Sequence, residues 1–124
     1  MAVTIRMEGL PGVLKFISSK KRNIEKGITD GALQGAEVLA DEVRASIAGQ
    51  RAEPRSVDTG AFLNSVNIAT TTTRDVQVFS DVEHAKFLEF GTSKIPARRH
   101  FSNSADRVKN EVVSKIETSI KSKL

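Results

Sequence analysis

Few residues of this chain could carry chemistry, and their spacing does not assemble a reaction centre. The two histidines, His84 and His100, have a single acidic neighbour between them, Glu83 beside His84. Neither belongs to a His-x-x-x-His or Glu-x-x-His pair, the spacings that set two metal ligands on one helix face. Both are expected at the surface or its boundary. No serine stands in Gly-x-Ser-x-Gly. With no cysteine there is no thiolate nucleophile and no thiolate ligand. The eight glycines form neither Gly-x-Gly-x-x-Gly nor a phosphate-cradling loop ending in Gly-Lys-Ser/Thr. The chain is therefore expected not to be an enzyme, with no catalytic, metal-binding or cofactor-binding residue and no cofactor.

What remains is recognition chemistry, concentrated in Glu89-Phe90-Gly91-Thr92-Ser93-Lys94-Ile95-Pro96-Ala97-Arg98-Arg99. An acid, an aromatic, two helix breakers and adjacent arginines stand here between two segments of helical periodicity. Guanidinium groups present a planar fork that suits carboxylates. Glu89, Phe90, Gly91, Thr92, Lys94, Pro96, Arg98 and Arg99 are the contact candidates. Two readings of the arginines stay open. They reach a carboxylate on a neighbouring subunit, such as an equivalent of Asp58 or Glu89, or they pair with Glu89 of their own loop and pin it.

A nucleic-acid reading is the alternative. Arg98-Arg99-His100-Phe101 joins planar cations to an aromatic, residue types that hold phosphate and stack on bases. The chain has 19 basic against 15 acidic residues, a net charge of +4 and a pI near 9.6. Its densest basic cluster, Lys20-Lys21-Arg22, reads as a solvated helix start. Tyrosine and tryptophan are absent, and no segment carries the basic helical stripe that fills a groove. Nonspecific contact with DNA fits this pattern better than base reading does.

The elements that must position these residues are those of an α+β fold. Residues 3–8 alternate, with Val3, Ile5 and Met7 on one side, as a half-buried strand does. Gly9-Leu10-Pro11-Gly12 ends it, and Val13 to Ile17 give a short helical turn. From Lys21 to Ile47 the period becomes helical, with Ile24, Ile28, Ala32, Gly35, Leu39, Val43 and Ile47 in one stripe. Gly27, Gly31 and Gly35 each cost about 1 kcal/mol relative to alanine, a row tolerable where another backbone packs along it. Residues 49–57 read as a polar loop, and Asp58 or Thr59 as the N-cap of a turn at Ala61-Phe62-Leu63. The β-branched run from Val66 to Thr73, a turn at Arg74-Asp75 and the strand from Val76 to Phe79 form a hairpin. His84 to Phe90 is a helical turn ending at Gly91. A last helix starts near Ser102, with Ala105, Val108, Val112, Ile116 and Ile120 as its stripe. One small antiparallel sheet, the N-terminal strand plus the hairpin, packs against the long N-terminal helix and the C-terminal helix. With 124 residues, the expectation is a single domain over 1–124. No apolar run approaches the ~18 residues of a membrane span, so no export signal or membrane anchor is expected.

Two separated segments carry a family resemblance. Val57-Asp58-Thr59-Gly60-x-x-Leu63-x-Ser65-Val66, and then Val82-Glu83-His84-Ala85-Lys86-Phe87-Leu88-Glu89-Phe90-Gly91-Thr92-Ser93-Lys94-Ile95-Pro96-Ala97-Arg98, resemble the gene-product-ten-like family of tailed bacteriophages and prophages. Its members are small head–tail joining, neck or tail-completion proteins. Family members commonly carry tyrosine where His84 and Phe87 stand, and proline where this chain has Arg99. The resemblance implies a structural virion protein that forms a sixfold or twelvefold ring of copies at the head–tail junction. Its partners would be head-connector and tail-tube or tail-terminator proteins, with genomic DNA passing nearby and no membrane. It would be made and assembled in the host cytoplasm. The loops at 91–100 and 49–57 become the candidates for subunit contact, and Asp58-Thr59-Gly60 the residues that shape the local turn.

Overall fold

The structure is a computed structural model that describes residues 2–6, 21–57, 60–70 and 75–123. The turn expected at 9–12, the helical turn at 13–17, the hairpin tip with Arg74, and Asp58 and Thr59 lie outside the described residues.

Strands β1 (Ala2–Arg6), β2 (Asn67–Thr70) and β3 (Asp75–Phe79) form an antiparallel sheet in the order β1-β3-β2. The return strand of the hairpin is thus central, paired on its far side with the N-terminal strand. The register sets Val3 opposite Val78 and Val78 opposite Ile68, so period-two alternation delivers one apolar cross-strand row to the core. Val76 and Val78 are fully buried. Asp75, expected in the hairpin turn, instead opens β3 opposite Arg6.

Helix α1 (Lys21–Ile47) is unbroken. Its stripe of Ile24, Ile28, Ala32, Leu39, Val43 and Ile47 is buried, together with Ala36 and Ala40. The short helix α2 (Ala61–Ser65) precedes β2, α3 (Ala85–Phe90) follows β3, and α4 (His100–Ser122) closes the described chain. Gly60 stands at the N-cap of α2 with φ 84°.

Helices α1 and α4 run antiparallel: the N-terminal half of α1 lies on the C-terminal half of α4, while Ser46 of α1 meets His100 at the start of α4. The glycine row explains how closely they approach. A Cβ on Gly27 would stand 2.9 Å from the Ile120 Cα, and one on Gly31 would stand 2.8 Å from the Ile116 Cα. The missing side chains are filled by the partner backbone, and the Ser119 hydroxyl donates to the Gly27 carbonyl at 2.8 Å. A close helix crossing offsets the propensity lost at each glycine. Helix α4 also begins two residues before Ser102, for a reason found outside the helix itself.

Candidate functional site

The C-terminal end of α1, the 49–57 loop, α2, α3, the 91–99 loop and the start of α4 gather at one end of the helix pair. Phe62, buried on α2, ties them together. Its ring sits edge-on to His84 and to His100, each at 5.9 Å between centroids, and 6.5 Å from Phe101. The two motif segments, far apart in sequence, therefore share one aromatic contact.

Beneath the loops runs a continuous polar chain. The Arg107 Nη1 and Nη2 donate to the two Glu53 carboxylate oxygens at 2.8 and 2.7 Å. The Ser46 hydroxyl donates to Glu53 Oε1 at 2.5 Å and lies 2.7 Å from His100 Nδ1. On the other side of the ring, His100 Nε2 lies 2.7 Å from the Ser56 hydroxyl, which accepts from Arg98 Nη1 at 2.7 Å. The partners dictate the protons. A carboxylate only accepts, so the Ser46 hydrogen goes to Glu53 and Ser46 accepts from Nδ1–H; Nε2 of a neutral ring then accepts the Ser56 hydrogen, which the Pro54 carbonyl also faces at 3.3 Å. Burial holds the His100 pKa below its ordinary value, in keeping with that neutral tautomer. His100 is thus fully buried, a correction to the surface or boundary position expected of it. His84 is exposed.

Glu53 overturns the picture of 49–57 as a merely polar loop, because its side chain is buried. The Arg107 hydrogen bonds outweigh the burial penalty and lower its pKa to about 2. Arg107 Nε and Arg51 Nε converge on Glu42 Oε1 at 2.8 and 2.7 Å, and hydrogen bonding from Arg51 leads in lowering the Glu42 pKa. Every link here is a satisfied donor–acceptor pair. Such an arrangement fixes loops in place.

Of the two readings left open for the arginines, pairing with Glu89 of their own loop does not occur among the described residues. Glu89 is 1% exposed. Its Oε1 accepts from the Phe101 N–H at 2.8 Å, and its Oε2 accepts from the Ser102 N–H at 3.0 Å and the Ser102 hydroxyl at 2.5 Å. Arg99 is the N-cap residue of α4 and its side chain makes no cap hydrogen bond. Glu89 supplies that cap from the preceding helix, bonding the two N–H groups a local cap would take, with its charge at the positive end of the α4 dipole. That remote cap is why α4 starts at His100 and why Ser102, a good local cap by type, lies inside the helix.

The remaining motif residues fix the shape of the 91–99 loop. Gly91 has φ 76°, and a Cβ there would stand 2.7 Å from the Ala97 nitrogen, so both the angle and the close approach of the Ala97 backbone exclude a side chain. Thr92 Oγ1 accepts from the N–H groups of Lys94 and Ile95, each at 3.1 Å, and its own N–H donates to the Ile95 carbonyl at 2.8 Å. The Arg98 N–H donates to the Leu88 carbonyl at 2.7 Å, and its Nη1 also donates to the Arg55 carbonyl at 3.1 Å. The face left outward is apolar and basic. Phe90 is 67% exposed, Phe87 43% and Ile95 39%. Lys94, Pro96 and Arg99 are exposed beside them, and among the described residues none of Arg55, Arg98 and Arg99 has a carboxylate partner.

The structure thus gathers Glu89 to Arg99 and Gly60 at one end of the molecule and divides them. Glu89, Gly91, Thr92 and Arg98 hold the loop, while Phe90, Lys94, Pro96 and Arg99 face out. Sequence reasoning missed Ser46, Glu53, Ser56, His100 and Arg107 as one network. The available signal was the polar residues Ser104 and Arg107, one and two turns after His100 along α4. It also missed Phe87 and Ile95 as exposed apolar residues. Among the described residues no group of three or more histidines and acids could hold a metal ion, and no helix is long and apolar enough to cross a membrane.

A family model described as "Bacteriophage HK97-gp10, putative tail-component" matches residues 13–91. The match takes in α1, both hairpin strands and α3, and ends at Gly91. No curated protein and no solved structure matches the chain.

Proposed function

The chain belongs to this HK97-gp10-like family of bacteriophage tail components, and from that premise we propose that it is a non-catalytic, single-domain virion part at the head–tail junction. Copies of it form a ring that joins the head connector to the tail, meeting a connector protein on one side and a tail-tube or terminator protein on the other. One observation carries this reading. The polar residues of the Glu89–Arg98 motif are spent on giving a loop a fixed shape, and that loop presents Phe90, Phe87 and Ile95 to solvent. Solvent-exposed aromatics on a rigid support lose little entropy on docking, the economy expected of an assembly contact. The buried acids and the histidine of this region are engaged in hydrogen bonds that hold loops and helix ends in place.

The test is complementation of a phage or prophage lacking this gene with the double variant Phe90→Ser and Ile95→Ser. Both side chains are exposed, so the purified variant should keep its circular dichroism and thermal transition. Filled heads and free tails that fail to join are the expected outcome in electron micrographs. Infectious particles at normal yield would overturn the assignment of this loop.

A further inference from the structure

Beside the outward face lies a cleft of about 450 Å³ between residues 55–57 and helix α3, lined by Arg55, Ser56, Val57, His84, Leu88 and Arg98. Two cations converge on it. Arg98 is oriented by the bonds of its Nη1 to the Arg55 carbonyl and the Ser56 hydroxyl. A guanidinium carries five N–H donors, and those on Nε and Nη2 meet no acceptor among the described residues. The Arg55 side chain likewise has no carboxylate partner among them. Val57 and Leu88 supply apolar wall. The cleft therefore has a pre-oriented fork, a second cation and room for a short aliphatic stem.

We propose that this cleft receives a carboxylate side chain from an acidic, apolar-flanked segment of a partner protein other than this chain. The claim rests on the junction reading and adds the chemistry of one contact. Charge decides between occupants. The chain carries a net charge of +4, so an acidic partner is drawn to this cationic cleft more strongly than a further copy is. Nucleic acid is the weaker fit, because phosphate tracking needs cations in a row along a groove. Here two arginines line one cleft together with Val57 and Leu88.

The experiment is amide NMR on the isotope-labelled full chain with a short peptide alternating glutamate and leucine. Two controls accompany it, the same peptide with glutamine for glutamate and a double-stranded oligonucleotide. At millimolar glutamate peptide, the amides of Val57, Leu88 and Arg98 should shift in saturable fashion, with the glutamine peptide binding roughly tenfold more weakly. Arg55→Ala should abolish the shifts, with other spectral changes confined to the neighbourhood of Gly49, against which the Arg55 Cβ and Cγ lie. Equal binding of both peptides, no shift with either, stronger displacement by the oligonucleotide, or peptide shifts that survive Arg55→Ala would each overturn the proposal. The two readings separate cleanly. Phe90→Ser with Ile95→Ser should bind the peptide normally yet fail to join heads to tails. Normal joining by Arg55→Ala particles, with no peptide binding by the wild type, would remove the cleft and leave the junction role intact.

Discussion

Glu89→Gln isolates the remote cap. The carboxylate accepts three hydrogen bonds from the first turn of α4, two from backbone N–H groups and one from the Ser102 hydroxyl. A glutamine fits the same space but offers one oxygen, and its NH₂ must face a donor. One N–H of Phe101 or Ser102 is then left buried without an acceptor, at a cost of about 1–3 kcal/mol. Removing the charge from the helix N-terminus adds up to about 1–2 kcal/mol in a buried setting. The expected loss is about 3 kcal/mol, a large share of the ~5–15 kcal/mol available to a domain. For a chain of this size that corresponds to a melting temperature lower by roughly 10 °C. Urea and thermal unfolding followed by circular dichroism measure it, with Glu111→Gln on the exposed side of α4 as a control expected within about 0.5 kcal/mol of wild type. A Glu89→Gln protein as stable as the control would refute the cap. If that stable variant also failed in assembly, Glu89 would belong to the docking face after all.

Two further perturbations test the frame around the loops. Glu53 has a folded pKa of about 2 against an ordinary 4.5, so it contributes about 3 kcal/mol that is fully present above pH ~4.5 and is lost as pH falls toward 2. Urea titrations across that window should show Glu53→Gln less stable than wild type at pH 7, with the difference closing at the acid end. Gly31→Ala gains about 1 kcal/mol in helix propensity but sets a methyl 2.8 Å from the Ile116 Cα and 3.0 Å from the Ser119 Cβ. Backbone cannot yield cheaply there, so differential scanning calorimetry should show a net loss of about 1–2 kcal/mol.

The long-period features were legible in the sequence. The stripes of α1 and α4, the alternation of β1 and the β-branched hairpin each announce their element, because each depends on periodic burial alone. The glycine row was legible as a demand, that another backbone lie along it, and α4 meets that demand. The site was less legible, for a physical reason. Glu89 does the work of an N-cap from a different helix, so local pattern pointed to Ser102 and misplaced the start of α4. His100 sits among charged neighbours in sequence, Arg98 and Arg99, yet it is buried because Ser46 and Ser56 take both ring nitrogens. Partners forty and more residues away leave no trace in local composition. Glu53 was hidden the same way: the fork of Arg107, with Ser46 and Asn103, makes a buried acid tolerable in a loop.

The departures from the family pattern acquire meaning from where they fall. His84 and Phe87 stand where tyrosine is common, and both are exposed. Neither change empties the core, and a phenol hydroxyl at 87 would only have met water; here Lys86 Nζ lies 5.3 Å from the Phe87 ring centroid instead. Arg99 is different in kind. Its φ of 55° and ψ of 42° are left-handed, a conformation that costs a residue with a side chain about 1–2 kcal/mol and that proline, locked near −65°, cannot adopt. A chain with proline at this point must enter its last helix by another route. The left-handed entry seen here turns the Arg98 guanidinium in toward the cleft while Arg99 remains exposed and unpaired among the described residues. Strain held at one exposed residue of a loop otherwise built from satisfied bonds is the cost of holding two adjacent arginines in different surroundings. Arg98 is braced within the loop, and Arg99 is the exposed member of the pair.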